Sequence, residues 1–336
     1  MRLERVLNSE WMMDLNNKTV LVTGGTGSFG QKFVKTVLAR YRPRRLIVFS
    51  RDELKQSEMA RKFKDPCLRF FIGDIRDLDR LRRALHGVEI VVHAAAMKQV
   101  PACEYNPLEA VKTNVIGAEN LIEATIDAGV QKVVAMSTDK AASPINLYGA
   151  TKLCAEKLFI QGNAYAGRGG TRFSCTRYGN VVGSRGSVVP LFLAQRKNGA
   201  VTVTDERMTR FWITLQQGID FVLHSLDVMH GGEIFVPKIP SMRIMDLVEA
   251  IAPECEVTVT GVRPGEKMHE VLVSEDEAHH TVEEEDLYII KPLHPWWPQE
   301  VWSAAKSLSD GFRFSSDRNK KWLTVQELGE LNKDIT

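Results

Sequence analysis

The sequence predicts an α/β protein: a doubly wound parallel sheet followed by a smaller, mixed α/β unit toward the C-terminus. Three observations predict it. Between residues 18 and 179, six short apolar runs alternate with segments of helical spacing. Those runs are apolar throughout rather than at every second position, as strands covered on both faces must be. Beyond about residue 180, loops with Gly, Pro and Ser separate shorter elements and the alternation fades. The organisation expected is an extension over 1–14, a sheet-and-helix unit over 15–180, and a second unit over 181–336 with some segments returning to the first.

The elements follow in order. "KTVLVTG" (18–24) is a β-branched run ending in Gly, and the next segment has helical spacing at Phe29, Phe33, Val37 and Leu38. "RRLIVFS" (44–50) is a second buried strand, and "DELKQSEMARKF" (52–63) a polar helix with Asp52 placed to cap it. "LRFFIGD" (68–74) and "VEIVVHAA" (88–95) are strands three and four, with a helix over 76–87 between them closed by Gly87. One long helix is expected over 106–129, with Pro107 in its first turn and Gly129 at its end. "QKVVAMST" (131–138) is strand five, 146–167 a helix, and "TRFSCTRYG" (171–179) strand six.

Composition excludes several classes. The 336 residues are 44% hydrophobic and 26% charged with a net charge of +2, which gives no electrostatic case for nucleic acid or an anionic membrane. No apolar run approaches the roughly 20 residues of a membrane span. Five cysteines without regular spacing or a CxxC pair fit reduced thiols in a cytoplasmic protein, neither a disulfide framework nor a zinc site. The start is interrupted by Glu4, Asn8, Ser9 and Glu10 and lacks a signal peptide's apolar centre; it reads as a frayed extension, with Met13 an alternative start. "EEED" (283–286) and His279-His280 read as solvated surface, so no metal is expected.

After the first strand comes "TGGTGSFG" (23–30). Gly25, Gly27 and Gly30 fit G-x-G-x-x-G, and Gly24, Gly27 and Gly30 fit a spaced variant. A lone glycine triplet is a weak signal and often only a turn. Between a buried strand and an amphipathic helix it is the place where backbone approaches a pyrophosphate at a helix N-terminus. An NAD site usually has an acid at the end of strand two, whereas this chain has Ser50-Arg51. An Arg there suits a 2′-phosphate, so NADP is favoured over NAD, against the plainer reading of a surface Arg beside Asp52. Asp74, closing strand three, fits the adenine edge or a helix cap.

Tyr148-x-x-x-Lys152 places two side chains one helical turn apart. A nearby ammonium would favour phenolate, letting Tyr148 exchange a proton with a substrate hydroxyl while hydride passes to or from nicotinamide. Ser137-Thr138 precede it at the end of strand five, where doubly wound sheets bind ligands. Asp139-Lys140 stand beside them and go beyond what a simple reductase needs; the plainer reading is a surface ion pair.

"TGGTGSFG", the Ser/Thr strand end and "YGATK" resemble the extended short-chain dehydrogenase/reductases. "SRDELKQ", "GDIRD", "HAAAMKQVP", "NPLEAVKTN", "STDKAASPINLYGATK", "RYGNVVGSRGSVVPLF", "MTRFWITL" and "RPGEKMHE" together resemble, within that family, the 5-inverting UDP-N-acetylglucosamine 4,6-dehydratases that open pseudaminic acid synthesis. The resemblance runs from about Leu15 to Glu270, and more loosely to "KKWLTVQELGEL", where Thr324 and Glu327 fit a capping box.

It implies an NADP-binding unit over 15–180 and a mainly UDP-sugar-binding one over 181–336. It implies oxidation at sugar C4 with Tyr148 as base and Lys152 and Thr138 beside it. Lys140 then removes the C5 proton, Asp139 protonates the departing 6-hydroxyl, and hydride returns to C6. Lys140 needs a lowered pKa for this and Asp139 a raised one, with coupled titrations. Retaining relatives have Asp-Glu at that place; the Lys points to inversion. The cofactor would contact Gly24, Thr26, Gly27, Ser28, Phe29, Gly30, Ser50, Arg51, Asp52, Lys55, Asp74, Ile75, Ala94, Ala96, Lys98, Tyr148, Lys152 and Val181. The substrate, UDP-GlcNAc, would contact Lys98, Asn180, Arg185, Val189, Arg210, Arg263 and Glu266, while Phe211 and Trp212 read as core. The resemblance also implies a homo-oligomer based on dimers, with hexamers in some members. The competing readings are a UDP-sugar 4-epimerase, a retaining 4,6-dehydratase and a non-catalytic NADP(H)-sensing protein.

Overall fold

The computed structural model describes residues 13–183, 187–294, 297–298 and 300–333. The extension before residue 13 and Arg185 lie outside the described residues. The chain runs β1 (Thr19–Thr23), α1 (Ser28–Arg40), β2 (Arg45–Ser50), α2 (Glu53–Lys62), β3 (Leu68–Ile72), α3 (Leu78–Ala84) and β4 (Ile90–His93). It continues through α4 (Val100–Tyr105), α5 (Pro107–Val111), a π turn (Lys112–Ile116), α6 (Gly117–Asp127), β5 (Lys132–Met136), a 3₁₀ turn (Asp139–Ala141), α7 (Leu147–Ala166) and β6 (Arg172–Thr176). These six strands lie in the order β3-β2-β1-β4-β5-β6, every pair parallel. The chain therefore winds outward in both directions from β1, and the order reverses between β1 and β4. Loops leaving the carboxyl ends there diverge and open a crevice.

The rest comprises β7 (Asn180–Val181), α8 (Val188–Arg196), β8 (Ala200–Val203), β9 (Thr209–Ile213), α9 (Leu215–Val228), β10 (Ile234–Pro237), β11 (Ser241–Arg243), α10 (Ile244–Ile251), β12 (Glu256–Val259), β13 (Val271–Val273), α11 (Glu275–Ala278), β14 (Thr281–Glu283), β15 (Leu287–Ile290), β16 (Lys306–Ser307), β17 (Phe314–Ser315) and α12 (Val325–Asn332). β10 joins the sheet parallel to β6, and β15, β14 and β16 extend it antiparallel. The sheet strands bury nearly every side chain, Val20, Leu21, Val22, Val91, Val92, Val133 and Val134 completely. Each such aliphatic contributes about 1.5–3 kcal/mol over its exposed state. A second core gathers Val182, Val189, Phe192, Trp212, Leu247 and Leu328 beneath the downstream segments. Thr324 and Glu327 form the expected capping box on α12, and Asp52 caps α2.

Two local expectations change. The segment expected as one helix over 106–129 is interrupted by the π turn, where Asn114 turns inward. Its amide accepts from Met97 N at 2.9 Å and donates to Met97 O and to Thr151 Oγ1. These side-chain bonds anchor the wider turn. In addition, the stretch after β4 forms the short helix α4, started by Pro101 in its first turn.

Downstream and upstream segments are joined by a buried ionic triad. Arg177, wholly buried, donates to Glu156 of α7 at 3.0 and 2.6 Å, to Glu277 of α11 at 3.0 Å twice, and to the Leu272 carbonyl of β13. Among the described residues no helix is long and apolar enough to cross a membrane, and no group of His, Cys, Asp and Glu is arranged to hold a metal.

Candidate active site

A cavity of about 790 Å³ opens at the carboxyl ends of β1, β4 and β5. Its floor is the glycine loop. Gly24 has φ +63°, and a Cβ there would lie 2.9 Å from the Ala95 amide nitrogen, so the loop fits against the β4 segment only as glycine. Gly27 N donates to Gly24 O at 2.9 Å, and α1 begins with no side chain capping its first amides. Gly24, Thr26, Gly27, Ser28 and Phe29 line the cavity. Gly30 does not. A Cβ on it would stand 2.4 Å from Gly25 Cα, so this glycine serves the close approach of helix to loop rather than ligand contact.

At one end of the cavity stand Ser50, Arg51, Asp52, Lys55, Asp74 and Ile75. Arg51, 59% exposed, reaches toward Asp74 at 3.5 Å. The Asp52 carboxylate accepts Lys55 N and pairs with the Lys55 ammonium, which hold it below its usual pKa. Asp74 is not a helix cap: Asp77 caps α3, because its carboxylate accepts the Arg80 amide. Burial pushes the Asp74 carboxyl up, but hydrogen bonds from Arg76 and the charge of Arg51 outweigh it and hold it low. Ala94 and Ala96 line the middle of the cavity with Lys98, whose ammonium is lowered by burial although the residue as a whole is exposed.

The reactive groups converge where β5 ends. The Thr138 hydroxyl donates to Asp139 Oδ1 at 2.9 Å, and Lys140 Nζ lies 3.0 Å from the same oxygen. On its other side Lys140 Nζ is 3.1 Å from Glu270 Oε1. The side chains of Asp139 and Glu270 are 1% and 2% exposed. Burial drives the Asp139 carboxyl up and Glu270 adds to this, against Lys140 and Thr138; the net shift is upward, the direction expected of an acid. Lys140 departs from expectation. Burial would lower it, but the charges of Asp139 and Glu270 outweigh burial and hold its ammonium above the ordinary range.

Tyr148 lines the cavity beside this pair. Burial pushes its phenol up to about 12, with Lys140 and the Thr138 hydroxyl only partly opposing. The expected Lys152–Tyr148 relation is not what the structure displays. Lys152 Nζ donates to the Met136 carbonyl at 2.7 Å, off the cavity wall, and its pKa is lowered by burial. Contact between α7 and the reactive turn is tight: a Cβ on Gly149 would meet the Lys140 carbonyl oxygen at 2.1 Å.

Asn180, Val181, Arg210, Arg263 and Glu266 line the opposite wall. Arg210 donates to the Met268 carbonyl at 3.1 Å and to Glu266 at 3.3 Å. Val189 is fully buried in the second core and is not on the wall: α8 turns it inward among apolar neighbours. Phe211 and Trp212 are both core, as expected; Trp212 also borders the cavity, with its indole N–H unpartnered. Buried polar atoms without a protein partner concentrate on this lining: Asp139 Oδ2, Asn180 Oδ1, Ser187 Oγ, Glu266 Oε2 and Glu270 Oε2. Buried polar groups are ordinarily satisfied, so their convergence marks a wall built for a polar ligand.

Two residues escaped the sequence reading. Asn114, hidden in a run of helical spacing, ties the Lys98 loop to α7. Glu270, the last residue of "RPGEKMHE", reaches Lys140 from far downstream.

Comparison with known proteins agrees with this geometry. Residues 20–292 match the model of a family described as polysaccharide biosynthesis protein. A Campylobacter jejuni protein named UDP-N-acetylglucosamine 4,6-dehydratase (inverting) is 51% identical over 94% of this chain and 97% of its own length. A Rickettsia conorii protein named UDP-glucose 4-epimerase is 44% identical over 82% of this chain and 83% of its own. The X-ray structure of Pen from Bacillus thuringiensis superposes with a TM-score of 0.87 at 39% identity, covering 96% of this chain and 100% of that one. DesIV, a dTDP-glucose 4,6-dehydratase from Streptomyces venezuelae with NAD and TYD bound, superposes at 0.64 with 26% identity, over 74% and 86% of the two chains.

Proposed function

We propose that this chain, which belongs to the polysaccharide biosynthesis protein family, is a UDP-N-acetylglucosamine 4,6-dehydratase, a hydro-lyase that inverts C5. The product would be UDP-2-acetamido-2,6-dideoxy-β-L-arabino-hex-4-ulose. The observation that carries the reading is the Asp139–Lys140 pair, its carboxylate buried, beside Tyr148 in a cavity that begins at the glycine loop. The name of the 51%-identical relative supports the same reaction.

The residues fit a nicotinamide dinucleotide. Gly24 admits the chain only without a side chain, the uncapped N-terminus of α1 suits a pyrophosphate, and Ala94 and Ala96 leave room beyond it. A nicotinamide held there would supply a reversible hydride acceptor for the sugar. NADP is favoured because Arg51, 59% exposed and held by a 3.5 Å ion pair to Asp74, can turn to a 2′-phosphate, while Asp52, the acid that could take a 2′-hydroxyl, is paired with Lys55.

Tyr148 would take the 4-hydroxyl proton as phenolate. Burial pushes its phenol up to about 12, the Lys140 charge and the Thr138 hydroxyl pull it back down, and the positive charge of a bound oxidised nicotinamide would pull the same way. Lys140 takes the C5 proton, and Asp139, whose pKa is raised, protonates the leaving 6-hydroxyl. The 3.0 Å bond between them lets the one proton move from Nζ to Oδ1, which turns an ion pair into the amine and carboxylic acid that elimination needs. Arg210 and Arg263 face the diphosphate, and Asn180 and Glu266 the hydroxyls. We place the reaction in the cytoplasm, as the first step of pseudaminic acid synthesis for flagellin or surface glycans, in a dimer-based homo-oligomer; the family resemblance supports this context.

The test is incubation with UDP-GlcNAc in D₂O without added reductant, followed by NMR. Water loss, one deuterium at C5 and inverted C5 configuration are expected. Formation of the 4-epimer without water loss would favour the epimerase reading that the Rickettsia relative suggests.

A further inference from the structure

Lys140 is held between two carboxylates, not one. Its ammonium is 3.0 Å from Asp139 and 3.1 Å from Glu270. Both acids are almost wholly buried, and each has one oxygen without a protein partner on the cavity wall. Two buried carboxylates on one ammonium raise each other's proton affinity. The surroundings decide which of them takes up a proton first. Glu270 also faces the Arg210 guanidinium at 4.0 Å and the Lys267 ammonium, and these cations favour its charged form. Arg210 in turn meets Glu266 at 3.3 Å, and Lys267 is anchored to the Ala142 carbonyl at 2.7 Å. Asp139 has the neutral Thr138 hydroxyl and Tyr148 beside it, and the Lys267 charge acts on it less than on Glu270.

Glu270 is also fixed in place. Its amide donates to Ser316 Oγ at 2.9 Å, Ser316 N donates back to its carbonyl at 2.8 Å, and Ser316 meets Thr209 Oγ1 at 2.7 Å. The backbone of this carboxylate is thus pinned from β9 and from the segment after β17.

We propose that Glu270 is a positioning residue for the elimination: it shares the Lys140 ammonium with Asp139, so that of the two buried carboxylates Asp139 is the one that takes up a proton first. This rests on the proposed function above and adds a residue to it. The fixed negative charge of Glu270 raises both macroscopic pKa values of the Asp139–Lys140 couple, and so places the pH window in which one proton is shared.

The test uses Glu270→Gln, which keeps the shape and removes the charge, and Glu270→Asp, which keeps the charge. Infrared spectroscopy of the full chain follows the protonated-carboxyl band that Asp139→Asn abolishes. In Glu270→Gln the midpoint of that band falls by about one pH unit or more, and in Glu270→Asp it stays near the wild-type value. The bell-shaped pH profile of water loss from UDP-GlcNAc moves the same way, toward lower pH, in the Gln variant. An unmoved midpoint, or a uniform loss of rate with no displacement of the profile, overturns the proposal. A band that shifts as expected in a chain that does not dehydrate UDP-GlcNAc supports the role of Glu270 and identifies the failure as that of the functional reading.

Discussion

Replacing Gly149 by Ala adds one methyl group at the tightest contact between α7 and the reactive turn. The new Cβ would lie 2.1 Å from the Lys140 carbonyl oxygen and 2.9 Å from its carbon, where ordinary contact begins at 3.4 Å. Backbone, not a flexible side-chain end, blocks it, so helix and turn must separate by about 1.3 Å, the difference between 3.4 and 2.1. Overpacking of this kind costs about 1–3 kcal/mol, which the better helix propensity of Ala offsets by up to about 1 kcal/mol. The net loss of stability is therefore modest, and the kinetic loss larger. Tyr148 rides on the helix and Asp139–Lys140 on the turn, and a misplacement of about 1 Å between reacting groups costs roughly 100-fold in turnover. Turnover of UDP-GlcNAc and thermal unfolding, measured together, check this. Gly329→Ala is the control: nothing lies within 4 Å of a Cβ there, and the residue is inside α12, so stability should hold or rise slightly with turnover intact. A Gly149→Ala enzyme with wild-type turnover would refute the claim that this contact sets the distance between proton donors.

Lys140→Ala should reduce water loss by about 10²–10⁴-fold while oxidation at C4, seen as transient nicotinamide absorbance, persists; equal loss of both would remove the base assignment. Arg51→Ala should weaken NADP by about 1.5–3 kcal/mol, roughly 10–150-fold, with NAD unaffected in parallel titrations. Arg177→Met should destabilise the fold by about 3–5 kcal/mol in denaturant unfolding, because Glu156 is left buried and unpaired. His93 is buried, bonded to Thr23 at 2.8 Å, and burial lowers its pKa to about 3, so the folded state stays neutral where an unfolded imidazole takes a proton. Stability is then lost as pH falls from about 6.5 toward 3, by up to about 1.4 kcal/mol per pH unit. His93→Gln lacks that slope, so its stability deficit should narrow on acidification; a constant deficit would contradict the assignment.

Much of the crevice was legible because its signals are local. The glycine loop, Ser50-Arg51, Asp139-Lys140 and Tyr148 each sit in short stretches whose strand or helix context is also local, and they line one cavity. Three things were not legible. Glu270 joins the reactive pair only through the folding back of β13 and β17, and no periodicity marks a contact so distant in sequence. Asn114 sits in a π turn that a 3.6-residue pattern reads through. The side-chain direction of Lys152 was misjudged for a different reason: spacing fixes which helix face a lysine occupies, but its long stem lets the ammonium choose the Met136 carbonyl over the phenol.

Arg177 limits how this scaffold can be recombined. Its guanidinium spends all its donors on an acid from α7, an acid from α11 and a carbonyl of β13, segments that come from opposite halves of the chain. A chimera that kept β6 and α7 but borrowed its downstream portion from a relative without a carboxylate at the place of Glu277 would inherit a sealed cation with half its neutralisation missing. Exchange of sugar specificity between members of the family is therefore governed first by whether donor and recipient carry matching halves of this lock.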